Sequence, residues 1–84
     1  MRWLEVGYSF TDGILVLTES KITFLSTDRF KETTWLLSDV ERIKVNQIFS
    51  KSQVILKLKS SIIEERFETQ NKDVDAFVSG VQQA

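Results

Sequence analysis

The chain has 84 residues, of which 42% are hydrophobic and 27% are charged, and its formal net charge is −1. This composition is typical of a soluble globular domain and excludes a disordered chain, while the nearly balanced charge argues against nucleic acid as a partner. Cysteine and histidine are both absent, which excludes disulfides, thiolate chemistry and every catalytic arrangement that depends on histidine.

The first predicted element is a strand over about residues 2–10, because apolar side chains recur there with a period of two. These apolar residues are Leu4, Val6, Tyr8 and Phe10. The dipeptide Asp12-Gly13 follows and is typical of a type I′ turn, which needs positive φ at both central positions. A two-residue turn at this dipeptide places Phe10 opposite Leu15 and Tyr8 opposite Leu17, so these four side chains are expected to share one buried face.

The next two strands are predicted over about residues 13–18 and 21–26, with a second two-residue turn at Glu19-Ser20. This turn places Leu17 opposite Ile22 and Leu15 opposite Phe24, again on the buried face. Two independent turns therefore agree on one core, which is the consistency expected of an antiparallel meander.

Four further strands are predicted over about residues 33–37, 41–48, 53–59 and 62–69. The inward residues are Trp35, Leu37, Ile43, Val45, Val54, Leu56 and Leu58. A tight turn at Ser60-Ser61 gives the opposed pairs Val54 with Phe67, Leu58 with Ile63, and Lys57 with Glu64 on the outside. The same register puts Glu65 on the inner face opposite Leu56. A carboxylate is unfavourable there, so either Glu65 lies at the rim of the sheet or the turn is displaced by one residue.

The last element is predicted to be a helix over about residues 72–82, since the period changes there to that of a helix. Its apolar stripe consists of Val74, Phe77, Val78 and Val81. Asn71 is a favourable N-cap, and Asp73 and Asp75 lie in the first turn, where the helix dipole favours carboxylates. Such a short helix is not stable alone and must pack on the sheet. The fold class is mainly β, a seven-stranded antiparallel barrel or sandwich capped by a C-terminal helix, in a single domain over residues 1–84.

Two segments carry motifs of a known family. Gly13, Leu15, Leu17, Thr18, Ile22 and Phe24 form a G-x-L-x-L-T turn followed by an apolar-x-F strand, and Trp35, Leu37, Asp39 and Val40 match an I-P-L-x-D-I-x-x-V segment. With these motifs the chain resembles GRAM and bacterial PH-like domains of the pleckstrin-homology (PH) superfold. Leu36 stands where the family often has proline, and Glu19-Ser20-Lys21 replaces a common Asn-Lys-Arg. The resemblance implies a PH-like sheet closed by the helix.

A second resemblance involves the segments DGILVLTESKITF and DAFVSGVQQ, which begin at Asp12 and Asp75. These segments are similar to the PH-like domains of TFIIH core subunits. That family binds acidic peptide segments, so this resemblance implies an acidic peptide as the partner.

Positive charge is concentrated in residues 42–66, where six basic and two acidic side chains give a net charge of +4. The predicted register points five of the basic side chains outward from one sheet: Arg42, Lys44, Lys57, Lys59 and Arg66. Glu64 and Glu68 offset them on that face. A positive face of this kind attracts acidic peptides or anionic lipid head groups by long-range steering. Equally, the lysines could keep an open sheet face soluble and block edge pairing.

An apolar group is predicted on the other face of the first sheet. The register that buries Leu15 and Phe24 turns Ile14, Val16 and Leu25 outward, and Leu36 on the next strand is a further candidate for this group. Aliphatic side chains on a face that should be wet suggest a contact surface for a partner or for self-association. Alternatively, Trp3 or a longer loop covers them.

No arrangement in the sequence indicates catalysis. The pairs of carboxylates are adjacent or two residues apart in segments expected at the surface, and the three glycines are isolated, so they form no phosphate-binding loop. We predict a non-enzymatic, cytoplasmic PH/GRAM-like recognition or scaffold module that binds a protein partner or itself. Peripheral binding to anionic lipid through the basic face, and TFIIH-like binding of acidic peptides, are the alternatives. No catalytic residue, cofactor, metal or nucleic-acid partner is expected.

Overall fold

A computed structural model describes residues 2–70 and 72–83 of the chain. The elements in chain order are β1 (Arg2–Tyr8), β2 (Thr11–Leu17), β3 (Lys21–Ser26), β4 (Glu32–Leu36), β5 (Val40–Ile48), β6 (Lys51–Leu58), β7 (Glu65–Thr69) and α1 (Val74–Gln82). A short 3₁₀ turn, Leu37–Asp39, joins β4 to β5. These bounds differ from the predicted ones by one to three residues at most ends.

The strands form one antiparallel sheet in the order β4-β3-β2-β1-β7-β6-β5. The predicted fold class is therefore confirmed: seven antiparallel strands and one C-terminal helix. The sheet is not closed into a barrel, because its two end strands, β4 and β5, do not pair within the described residues.

The sheet curls strongly, so that its inner face surrounds the core. Trp35 on β4 lies 5.7 Å from Phe67 on β7, measured between ring centroids, although three strands separate β4 from β7 in the sheet. The least exposed large side chains of the core are Phe24, Phe67, Leu4, Leu15, Ile22, Leu56 and Val54. All of them were predicted to face inward. For Phe67 this prediction came from its position opposite Val54 in the register.

The first hairpin turns three residues earlier than predicted. β1 and β2 pair Tyr8 with Thr11 and Leu4 with Leu15, so the turn is Ser9-Phe10. Both residues have positive φ, 52° and 64°, as a type I′ turn requires. The prediction of a turn at residues 12–13 is therefore wrong, and so is the burial of Phe10, whose side chain is fully exposed.

The inner face keeps its residues despite this error. Moving a two-residue turn by three positions shifts every cross-strand partner by six, which is an even number. Because side chains alternate with a period of two, an even shift leaves Leu15 and Leu17 on the same face as Leu4.

The second hairpin agrees with the prediction. Leu17 pairs with Ile22 and Leu15 pairs with Phe24 across the Glu19-Ser20 turn. The N–H of Thr18 donates to the carbonyl of Lys21 over 3.0 Å and closes this turn. The predicted meander core is confirmed.

The connection from β6 to β7 is wider than predicted. Val54 pairs with Phe67, as expected, but β6 ends at Leu58 and β7 begins only at Glu65. The pairing of Leu58 with Ile63 is wrong, since Ile63 is exposed. The N–H of Ile63 donates to the hydroxyl of Ser61 over 3.1 Å, which holds this wider loop.

The helix α1 packs its apolar stripe on the sheet. Val74, Phe77, Val78 and Val81 are all buried, which confirms the predicted stripe. The Arg2 guanidinium donates to the carbonyl of Ala76 over 2.9 Å, and the Gln82 side-chain amide donates to the carbonyl of Ile43 over 3.1 Å. The helix is thus attached to β1 and to β5. The predicted N-cap, Asn71, lies outside the described residues.

Substitutions in the Ser9-Phe10 turn should make the protein more stable. A non-glycine residue in the left-handed region costs roughly 1–2 kcal/mol, and Asn-Gly is the preferred type I′ pair. We expect Ser9→Asn combined with Phe10→Gly to raise the free energy of unfolding by about 1 kcal/mol, measured by urea denaturation. The control is Phe30→Gly, because Phe30 is also an exposed turn phenylalanine but is not at positive φ. If Phe30→Gly raised the free energy of unfolding as much as the double change at Ser9 and Phe10, relief of backbone strain would not be the cause of the stabilisation.

Candidate binding surfaces

The outer side of the curled sheet carries two separate candidate surfaces. Side chains alternate along each strand, so every second residue points away from the core. The register assigns one outer face to β1–β4 and another to β5–β7. The predicted apolar residues fall on the first face and the predicted basic residues on the second.

The basic residues do lie together, as the register predicted. Arg42 pairs with Lys57 across β5 and β6, and Ile55 on β6 pairs with Lys44 on one side and Arg66 on the other. Lys59 follows β6 directly and is exposed. The structure therefore places all five predicted basic side chains on or beside the outer face of β5–β7, which we call the basic face.

Three of these five cations already have carboxylate partners. Glu64 lies between Arg42 and Arg66, at 3.5 Å and 3.3 Å from their guanidinium nitrogens. The Lys57 ammonium lies 3.5 Å from a carboxylate oxygen of Glu41 and donates to the main-chain carbonyls of Leu58 at the end of β6 and of Ser61 in the β6–β7 loop. The predicted pairing of Lys57 with Glu64 is therefore wrong. Lys44 and Lys59 form no ion pair within the described residues.

The basic face also has a packing role that sequence reasoning missed. Ile55 points outward at its centre, yet only 2% of its surface is exposed. Its cross-strand neighbours are Lys44 and Arg66, whose aliphatic stems can cover an apolar side chain while their charged ends stay in water. Coverage of Ile55 is a packing reason for long basic side chains at these two positions, independent of any partner.

The apolar residues form a patch on the outer face of β1–β4. The apolar patch consists of Trp3, Ile14, Val16, Leu25 and Leu36. Trp3 pairs with Val16 and Ile14 pairs with Leu25, so these four are contiguous across three strands. The exposed fractions are 57% for Trp3, 57% for Leu36 and 36% for Leu25. Trp3 is therefore itself an exposed member of the patch, beside Val16.

Two threonines complete the floor of this surface. Thr23 pairs with Val16 on one side and with Thr34 on the other, between the main part of the patch and Leu36. The two threonine hydroxyls lie 3.2 Å apart and hydrogen-bond to each other. Covering them with an apolar partner would leave this hydrogen bond intact, and the O–H of the threonine that accepts it would lose its contact with water.

Carboxylates border the apolar patch, and the sequence pattern alone did not reveal them as a group. Glu5 pairs with Ile14 and Glu32 pairs with Leu25, so both acids lie in one row with these two apolar residues. Asp12 lies two positions before Ile14 on the same face. Beside this end of the patch is a groove of about 690 Å³, lined among others by Glu5, Asp12, Ile14 and Glu68.

On the inner side, Glu65 has a partner that the sequence did not predict. It pairs with Leu56, as the predicted register required, and its carboxylate accepts a hydrogen bond from the Tyr8 hydroxyl. The Tyr8 ring contacts the rings of Phe24 and Phe67 at centroid distances of 5.1 Å and 4.8 Å. Burial, and then the adjoining Glu65 carboxylate, raise the pKa of Tyr8 to about 12. The predicted register is thus correct, and Glu65 is a half-buried residue at the first position of β7, where the Tyr8 hydroxyl is its hydrogen-bond partner.

Because Tyr8 is the only tyrosine of the chain, its titration can be measured directly. We expect the tyrosinate absorbance to appear with a midpoint near pH 12 rather than pH 10. The folded state favours the neutral phenol, so its contribution to stability is present below pH 10 and is lost as the pH rises from 10 to 12. Glu65→Gln should move the midpoint towards 10, but not fully, because burial remains. A parent midpoint near 10 with intact circular dichroism would contradict this assignment.

Within residues 2–70 and 72–83, no three acidic side chains come close enough to hold a metal ion. No helix in that part of the chain has the length and apolar character needed to cross a membrane. Comparison of the chain with models of known protein families gives no match, and comparison with curated proteins gives no relative.

Proposed function

We propose that the chain is a non-catalytic, PH-like recognition module that binds a protein partner through the apolar patch. Seven antiparallel strands followed by a C-terminal helix support the PH-like assignment. The GRAM-like motifs around Gly13 and Phe24, together with a cytoplasmic location, are part of the same proposal.

The observation that carries the proposal is the exposure of Trp3, Leu25 and Leu36 on one sheet face. Apolar side chains that are exposed singly are normal, but a contiguous group on an open face is typical of an interaction surface. Aromatic residues are also enriched in protein interfaces, and Trp3 is an exposed aromatic member of the patch beside Val16.

The basic face is the weaker candidate, because its arginines are already paired. Glu64 neutralises part of the charge of Arg42 and Arg66, and Glu41 does the same for Lys57. An anionic lipid or an acidic peptide would have to compete with these intramolecular pairs. Such binding would depend on Lys44 and Lys59 and would weaken steeply with salt.

Site-specific photo-cross-linking in cells tests this proposal. A photoreactive amino acid in place of Trp3 is expected to give a defined protein adduct, and the same amino acid in place of Lys44 is not. Leu25→Glu should abolish the adduct, since it places a charge in the middle of the patch. Adducts from position 44 but not from position 3 would overturn the proposal in favour of the basic face.

A further inference from the structure

The charge around the apolar patch is predominantly negative. Glu5, Asp12 and Glu32 are exposed on its border, and none of them forms an ion pair within the described part of the chain. Among the described residues that pair within β1–β4, the basic residue on the same face is Lys21, which pairs with Leu36 at the opposite end of the patch. A partner that covers the patch would therefore bring its positive charge to the end near Ile14.

The acids also flank the patch symmetrically. In the row Glu5–Ile14–Leu25–Glu32, the two glutamates stand on β1 and β4, on either side of the central strands. Three strand spacings separate them, about 14 Å measured along the curved sheet. A helix with its side chains is about 10–12 Å wide, so a helix that runs along β2 and β3 fits between them.

The central strands favour a helix over an extended peptide. β2 pairs with β1 and β3, and β3 pairs with β2 and β4, so neither strand has free main-chain groups for an added strand. A peptide that lies on this face must satisfy its own main-chain hydrogen bonds. A helix does so internally, whereas an extended chain over Ile14 and Val16 would leave buried groups unpaired.

The negative charge around the apolar patch disfavours two other binding partners, a second copy of the chain docked patch to patch and an anionic membrane. A second copy that docks its patch symmetrically would bring two sets of Glu5 and Glu32 together, and like charges repel. Docking the patch of one copy on the basic face of another is a heterologous contact, which builds rings or open chains of molecules rather than a symmetric pair. An anionic membrane surface is repelled by the same carboxylates.

From this geometry we infer that the apolar patch takes an amphipathic helix that carries lysine or arginine on both sides of its apolar stripe. The stripe covers Ile14, Val16 and Leu25, and Trp3 and Leu36 contact it from the two sides. The basic side chains reach Glu5 and Glu32. This inference rests on the proposed function, because it names the class of partner for the same surface.

The test uses the full 84-residue chain and two helix-forming peptides of about 18 residues with the same leucine stripe. One peptide has lysine on both flanks of the stripe, and the other has glutamate at those positions. Backbone amide and tryptophan indole resonances are followed during titration at low salt. We expect the lysine peptide to shift the indole resonance of Trp3 and the amides of Ile14 and Leu25, but not the indole of Trp35. The glutamate peptide should bind at least tenfold more weakly.

Charge-removing variants check the role of the two glutamates. Glu5→Gln combined with Glu32→Gln should weaken binding of the lysine peptide about three- to tenfold, as expected for the loss of two exposed ion pairs. Asp75→Asn removes an exposed carboxylate from α1, away from this face, and should have no effect. Both variants should keep the circular dichroism of the parent, since the changed side chains are exposed.

Several results would overturn the inference. Equal binding of both peptides at the patch would disprove the charge selection but leave the proposed protein-binding function standing. Failure of both peptides to shift the patch resonances would disprove the helix, while cross-linking from position 3 decides the proposed function separately. Patch resonances that move with protein concentration alone would identify a second copy, and shifts of Trp3 with anionic vesicles would identify a membrane.

Discussion

A Gly13→Ala variant is expected to lose about 3 kcal/mol of unfolding free energy, at the upper end of the usual range for overpacking. A Cβ at this position would lie 2.2 Å from the carbonyl oxygen of Leu25 and 2.9 Å from two ring carbons of Phe24. The first contact is with backbone and the second is with one of the least exposed core rings, so neither neighbour can move aside easily. Urea denaturation should show a lower midpoint at an unchanged m-value.

Gly7→Ala is the matched control for this experiment. Gly7 is also a strand glycine, but a Cβ there would lie 3.8 Å from a carboxylate oxygen of Asp12 and 4.0 Å from the carbonyl of Glu68. These are ordinary contacts, so we expect a change within about 0.5 kcal/mol, as for substitutions that create no clash. If both alanine variants lose the same stability, the close approach at Gly13 is not the reason for its glycine.

This pair of variants also separates two interpretations of Gly13. The sequence suggested that Gly13 supplies the positive φ of a turn, whereas in the structure it lies inside β2, and positive φ occurs instead at Ser9 and Phe10. Phenylalanine is not a residue that marks a type I′ turn, so no local preference could reveal its position. What placed the turn is the pairing of β1 with β2, which aligns Leu4 with Leu15.

The side of the sheet on which each residue lies could be predicted, because side chains alternate along a strand and a register error of an even number of residues leaves them on the same side. The outward positions of Ile14 and Leu25, and those of Arg42 and Lys44, depend only on which residues of a strand share a side. The partners across distant strands could not be predicted in this way. The contact of Tyr8 with Glu65 requires β1 to lie beside β7, an adjacency that no local sequence signal specifies.

Ion pairing on the basic face illustrates the same limit. Glu64 lies in the loop before β7 and contacts both Arg42 and Arg66. The sequence predicted a tight turn there, which would have directed Glu64 towards Lys57 instead. A loop that is a few residues wider thus changes which basic side chains are left without a carboxylate partner. The net charge of a segment therefore does not measure the charge that a sheet face presents to a binding partner.

A Phe77→Ala variant is expected to lose about 3–5 kcal/mol, the usual cost of removing a buried phenylalanine side chain and leaving a cavity. Phe77 is 2% exposed and belongs to the same core cluster as Phe24 and Leu4. The nine-residue helix is too short to hold its structure alone, so it depends on this packing. Equilibrium unfolding in urea, followed by circular dichroism, gives the loss.

Ser79→Ala is the control for the helix, because Ser79 lies on the exposed side of α1 and should change stability by less than about 0.5 kcal/mol. The two hydrogen bonds that attach the helix, from Arg2 and from Gln82, are each worth about 0.5–1.5 kcal/mol and remain in both variants. Their sum of about 1–3 kcal/mol does not exceed the expected cost of losing the Phe77 side chain. A loss below about 1 kcal/mol on Phe77→Ala would therefore mean that the helix is a detachable tail rather than part of the core.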